Sequence, residues 1–146
     1  MKKFKYKLDP LLKIRKFQEK KEFLNYAKVL GEVNRHKQAI TEAMESRNNF
    51  SNQERVKMRR GEFNLAEKKT GLEFYRNIAA LKVNSEKKIE SMKDENDRLR
   101  KKAEDARRSR RVLEILREKK YSEYQTEQIK LEFKDLDEFN QRKREP

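Results

Sequence analysis

The sequence holds no cysteine, no tryptophan, three glycines, two prolines and a single histidine in 146 residues. Without thiols, disulfides, zinc–thiolate sites and thiol catalysis are excluded, and their absence fits a reducing cytosol. So few Gly and Pro leave little material for the turns of a sheet, and a hydrophobic share of 34% is too small for an ordinary compact core. No apolar run approaches the roughly 18 residues that a membrane span requires. The basic start, MKKFKYKLDPLL, does not read as a signal peptide, because lysines interleave with its apolar residues. His36 has no second histidine or cysteine with which to build a metal site, so it reads as a surface or seam-flanking side chain. Neither a glycine-rich phosphate loop nor a nucleophile motif occurs. The reading is of a chain that is not an enzyme, with no cofactor and no small-molecule substrate.

Charge is what the sequence has in excess. Charged residues make up 45% of it, and the net charge is +14. That balance predicts attraction to an anionic surface: nucleic acid, lipid headgroups or an acidic protein. Composition leaves two classes, a disordered polyelectrolyte or long helices that bury a narrow stripe. Eight Phe and five Tyr, with apolar residues in periodic array, favour the helices.

The start signal of the first helix is Asp9-Pro10, an acid able to cap free N–H groups followed by a residue that has none to satisfy. Phe23, Tyr26, Leu30, Val33, Ile40 and Met44 follow the alternating three–four spacing of a coiled-coil seam, with Lys37 interrupting it. Gly61 reads as the stop. Asn64 and Glu67 form a capping-box pattern, with Phe63 beside the cap. Phe74, Ile78 and Leu81 open a second seam, continued by Ile89, Met92, Leu99, Ala103, Ala106 and Leu113. Gly71, Asn96 and Arg110 stand as its defects, the glycine at a cost of about 1 kcal/mol.

The expected architecture is therefore all-α: a long antiparallel two-helix coiled coil, or helical hairpin, whose second helix is the longer. It is read as a single rod over 1–146, with helix 1 at 10–60, a connection at 61–64 and helix 2 at 65–141. At 1.5 Å per residue the helices would be roughly 75 and 115 Å long. Folding about the connection sets Pro10 near residues 114–116, so the last 25 or so residues overhang unless Phe4–Leu8 runs back along them. That overhang carries Leu116, Tyr121, Tyr124, Ile129, Leu131, Phe133, Leu136 and Phe139, apolar surface that calls for a partner. Charge segregates along the same axis. Residues 98–120 hold eleven Lys/Arg against four acids, whereas residues 121–140 hold six acids against two lysines. The run RRSRR at 107–111 reads first as a solvated helix face and second as a phosphate-binding patch.

The opening FKYKLDPLLKIRKFQEKKEF resembles that of the flagellar export protein FliJ family. Phe4, Tyr6, Leu8, Leu11, Leu12, Arg15 and Glu19 or Glu22 fill the places of that family's start, and VLEILREKK with LDE at 136–138 resembles its tail. The stalk proteins of virulence type III secretion systems share this plan. The resemblance implies a stalk-like coiled coil, similar to the rotary ATP synthase gamma subunit, that binds the hexameric export ATPase and the cytoplasmic domain of the export gate. It also implies a role in the traffic of substrates and export chaperones, and a cytoplasmic location, peripheral to the inner membrane at the flagellar base. The contact surface so implied comprises Phe4, Tyr6, Leu8, Leu12, Arg15, Glu19, Leu113, Leu116, Tyr121, Tyr124, Ile129 and Phe133. The rival reading is a basic coiled coil associated with nucleic acid, or a structural scaffold.

Overall fold

The computed structural model describes residues 3–62 and 64–143. They form an antiparallel helical hairpin of two α-helices, α1 (Asp9–Arg59) and α2 (Leu65–Arg142), of 51 and 78 residues. Among the described residues no helix is long and apolar enough to cross a membrane.

Local chemistry sets the helix ends. Gly61 has φ +71°, the left-handed conformation that only glycine enters without penalty. Its N–H bonds to Met58 O at 3.1 Å and that of Glu62 to Lys57 O at 3.0 Å. This bond pair is the Schellman closure, and it satisfies carbonyls that the end of α1 would otherwise orphan. At the start of α2 the Asn64 carboxamide oxygen accepts from Ala66 N at 2.9 Å, the expected cap. The reciprocal half of the capping box is replaced: the Glu67 carboxylate takes Lys57 Nζ at 3.2 Å across the turn. Phe63, expected beside the cap, lies outside the described residues.

The chain divides into two compact units, Phe23–Lys101 and a second one made of residues up to Glu22 with those from Lys102 onward. In the Phe23–Lys101 unit, α2 turns inward a set with strict four–three spacing: Gly71, Tyr75, Ile78, Lys82, Ser85, Ile89, Met92, Asn96 and Leu99. Leu81, expected in this seam, is 42% exposed, and Lys82 and Ser85 hold the inward positions instead. On α1 the inward line is Tyr26, Val29, Val33, His36, Ile40 and Ala43. The expected seam therefore ran one residue late at alternate positions. Phe23 is 58% exposed, Lys37 is exposed, and Ala43 at 6% is more deeply buried than Met44. Small side chains such as Ala43 and Ser85 let the helices close together, and the longer neighbours stand beside the contact rather than in it.

Gly71 is not the defect expected of it. A Cβ there would meet the Phe50 ring at 3.2 and 3.3 Å and Glu54 Oε1 at 2.8 Å. The glycine makes room for Phe50, whose ring lies 4.7 Å from Phe74 and 5.6 Å from Tyr75 between centroids. The Tyr75 hydroxyl donates to Glu54 Oε2 at 2.9 Å. Burial, then that acceptor carboxylate, pushes the Tyr75 phenol above its ordinary pKa. Asn96 is a real defect. Its Oδ1 is buried with no hydrogen-bond partner among the described residues, which costs on the order of 1–3 kcal/mol.

Candidate partner-binding end

The unit that holds both chain ends contains all twelve residues expected at the contact surface. It is built around Leu12, Tyr6 and Leu113, each at least nine-tenths buried. Residues 3–8 are not helical and run back along α2. In such an extended segment alternate side chains face opposite ways. Phe4 and Tyr6 turn to α2, while Lys3, Lys5 and Lys7 stay exposed. The Tyr6 hydroxyl donates to Leu113 O at 3.3 Å. The Phe4 ring meets Tyr121 edge-on at 5.1 Å and Tyr124 at 5.5 Å, centroid to centroid. Arg117 Nε lies 3.1 Å from Asp9 Oδ1. The Phe-x-Tyr-x-Leu spacing is thus the signature of a strap over the second helix.

Arg110, expected as a seam defect, is the centre of an ion cluster. Its guanidinium pairs with Glu19 and, at 2.5 Å, with Glu114 Oε2. Arg111 Nη1 reaches Glu114 at 3.3 Å and Glu118 at 3.5 Å, and Lys16 lies 3.9 Å from Glu114. The hydrogen bond from Arg110, against the opposing effect of burial, holds the Glu114 carboxyl below its usual range. The Glu114 and Glu19 hydrogen bonds raise the already high pKa of Arg110. Arg108 Nη1 is 3.8 Å from Asp105. Much of the RRSRR run is therefore turned to the protein's own carboxylates.

The twelve residues separate into three groups. Tyr6, Leu12 and Leu113 are core; Arg15 and Glu19 are half-buried, and Phe4 and Tyr124 are half-buried in the strap contact. Leu8, Leu116, Tyr121, Ile129 and Phe133 are exposed. An open cleft of about 880 Å³ lies between the strap and α2, lined by Lys5, Tyr6, Leu8, Tyr124, Gln128 and Leu131 among others. Tyr124, Gln128 and Leu131 thus continue the inward line of the helix in phase, with Leu131 itself 51% exposed at the open end of the cleft. Ile129, Phe133 and Leu136 do not: at 100° per residue they stand roughly 140° around the helix from it. They are 54%, 64% and 57% exposed. The apolar surface of the tail is thus a second stripe, distinct from the intramolecular seam.

Leu136, Ile14, Phe17, Val112 and Ile115 are also apolar and exposed, and they lie outside the expected contact surface. Their signal was available, since each is out of phase with the seam of its own helix. Among the described residues no group of three His, Asp or Glu side chains could hold a metal ion.

The family model described as the flagellar FliJ protein matches residues 4–144. The chain belongs to the FliJ family. Membership implies a component of flagellar type III export, and the match takes in the strap, both helices and the exposed tail stripe. No curated protein and no solved structure matches the chain.

Proposed function

We propose that this FliJ-family chain is a non-enzymatic, stalk-like component of the flagellar export apparatus. In this reading it binds the hexameric export ATPase and the cytoplasmic domain of the export gate, and assists the traffic of substrates and their chaperones. It works at the flagellar base, peripheral to the inner membrane. Besides family membership, one observation carries the reading: the stripe of Ile129, Phe133 and Leu136 is apolar, exposed and separate from the seam. Three such side chains on one helix face are a ready hydrophobic contact for a partner. Six acids around them in residues 121–140 would add a salt-dependent attraction to a basic surface.

The test is capture of the export ATPase from the same organism, with its turnover followed, by the full chain and by the variant Ile129→Ser, Phe133→Ser, Leu136→Ser. The variant should keep its helicity and lose binding at least tenfold, consistent with the burial of three apolar side chains. Undiminished binding by that variant would overturn the assignment. Tyr121→Ala with Tyr124→Ala is a poorer probe, because those rings hold Phe4 and their loss frees the strap. The nucleic-acid reading has less support, since Arg110 and Arg111 are engaged by Glu19, Glu114 and Glu118.

A further inference from the structure

Phe17 is 70% exposed, more than any other large hydrophobic residue described. Its surroundings are as unusual as its exposure. The inward residues of α1 in this unit are Leu12, Arg15, Glu19 and Glu22. At 100° per residue, Phe17 stands roughly opposite their mean direction. Within about 60° of it lie Pro10, Lys13, Ile14, Lys20 and Lys21. That sector contains no acid. Ile14 is 54% exposed, Lys13, Lys20 and Lys21 are exposed, and none of the three lysines forms an ion pair among the described residues.

We propose that this outward face of α1 docks on an anionic lipid surface. Phe17 and Ile14 enter the boundary between headgroups and acyl chains, and Lys13, Lys20 and Lys21 reach the phosphates. An apolar centre flanked only by lysines is the pattern of an interfacial helix, whose lysine stems lie along the apolar layer while their ammonium groups stay in water. Nucleic acid would use the lysines but leave the aromatic and the isoleucine against phosphate, where they gain nothing. An acidic protein would need a cavity for a protruding ring. Phe133 is nearly as exposed, yet Glu132 and Asp137 beside it would be repelled by the same lipid. Each lysine near an anionic leaflet contributes about fivefold in partitioning, so the contact is weak, reversible and salt-sensitive.

The inference deepens the placement beside the membrane proposed above, but its test needs no export component, so either can fail alone. The chain lacks tryptophan, which makes Phe17→Trp a single reporter. The full chain carrying it is mixed with vesicles of phosphatidylcholine alone or enriched in phosphatidylglycerol, with Leu65→Trp as a control at another exposed site. The expected result is a blue shift and quenching by brominated acyl chains for the Phe17→Trp reporter, on anionic vesicles only. Sedimentation with those vesicles should fall more than tenfold in Lys13→Glu, Lys20→Glu, Lys21→Glu, and severalfold in Ile14→Ser, Phe17→Ser, with helicity unchanged in both. The inference is overturned by absence of vesicle binding. It is equally overturned by binding that leaves the emission of the Phe17→Trp reporter unmoved, or by duplex DNA or polyglutamate binding the chain more tightly than the vesicles do.

Discussion

Each unit carries a cluster of three aromatic rings, and the two clusters do different work. In the Phe23–Lys101 unit Phe50 enters a space kept open by Gly71, between Phe74 and Tyr75, and Tyr75 is tied to Glu54. All three rings belong to helices, so the cluster fixes how α1 lies on α2 there. In the unit of the chain ends, Phe4 comes from a non-helical strap and rests on Tyr121 and Tyr124. Tyr121 remains 46% exposed. The first cluster locks two helices; the second holds down a short segment with few other ties. An equal number of rings does not mean equal stability, because what matters is how much chain each ring immobilises and how much surface it removes from water.

The largest break in this comparison should come from the rings themselves. Phe50→Ala should lower the unfolding free energy by about 2–3 kcal/mol, the low end for a large core truncation because the residue is only half-buried. Phe4→Ala should cost about 1 kcal/mol or less, while amide exchange at residues 4–8 rises. Urea unfolding followed by circular dichroism, with hydrogen exchange, reads both. Equal losses would mean the strap is as integral as the helix pair.

A second test strikes the ion cluster of the terminal unit. Arg110→Leu takes the cation from Glu19 and leaves Glu114 beside it with only Arg111 and Lys16, and about 2 kcal/mol should be lost. Adding Glu19→Leu and Glu114→Leu should restore most of it, since an apolar set of similar volume tolerates burial better than unpaired charge. If the triple variant is no more stable than the single one, the cluster contributes more than charge balance.

The two helix-interior glycines give a smaller pair of effects with opposite signs. Nothing lies within 4 Å of a Cβ built at Gly31, so Gly31→Ala should gain up to about 1 kcal/mol. Gly71→Ala makes the same backbone gain but drives its methyl into Phe50 and the Glu54 carboxylate, for a net loss of about 1 kcal/mol. Thermal melts of the two variants suffice, and a stabilised Gly71→Ala would show that Phe50 shifts without penalty.

The smallest effect concerns pH. Glu114 has its folded pKa depressed by Arg110, so its contribution to stability is fully present above the unfolded value of about 4.5. It is lost as pH falls through the lower folded value. Denaturation midpoints from pH 7 to the acid side should fall less steeply in Glu114→Gln than in the parent, with the difference confined to the region at and below the ordinary carboxylate range. Parallel curves would remove Glu114 from the account.

Local chemistry made much of this molecule readable in advance. The hairpin of two unequal helices follows from periodic apolar residues in a chain too charged for a compact core. The cap at Asn64 and the turn at Gly61 follow from a side-chain acceptor and a residue free to take positive φ. Those are properties of a few consecutive residues, and sequence records them directly. What needed the second helix could not be read this way. Ala43 rather than Met44 leads the seam, because a small side chain wins where helices close together. Gly71 changes from a weakness to a fitted contact only once Phe50 is beside it. Arg110 ceases to be a defect when Glu19 arrives from ninety-one residues away. At the chain ends, sequence assembled the apolar residues, but only tertiary structure divided them, burying Tyr6, Leu12 and Leu113 and leaving Ile129 and Phe133 in water. Burial belongs to pairs of surfaces, and a single strand of sequence holds only one of each pair.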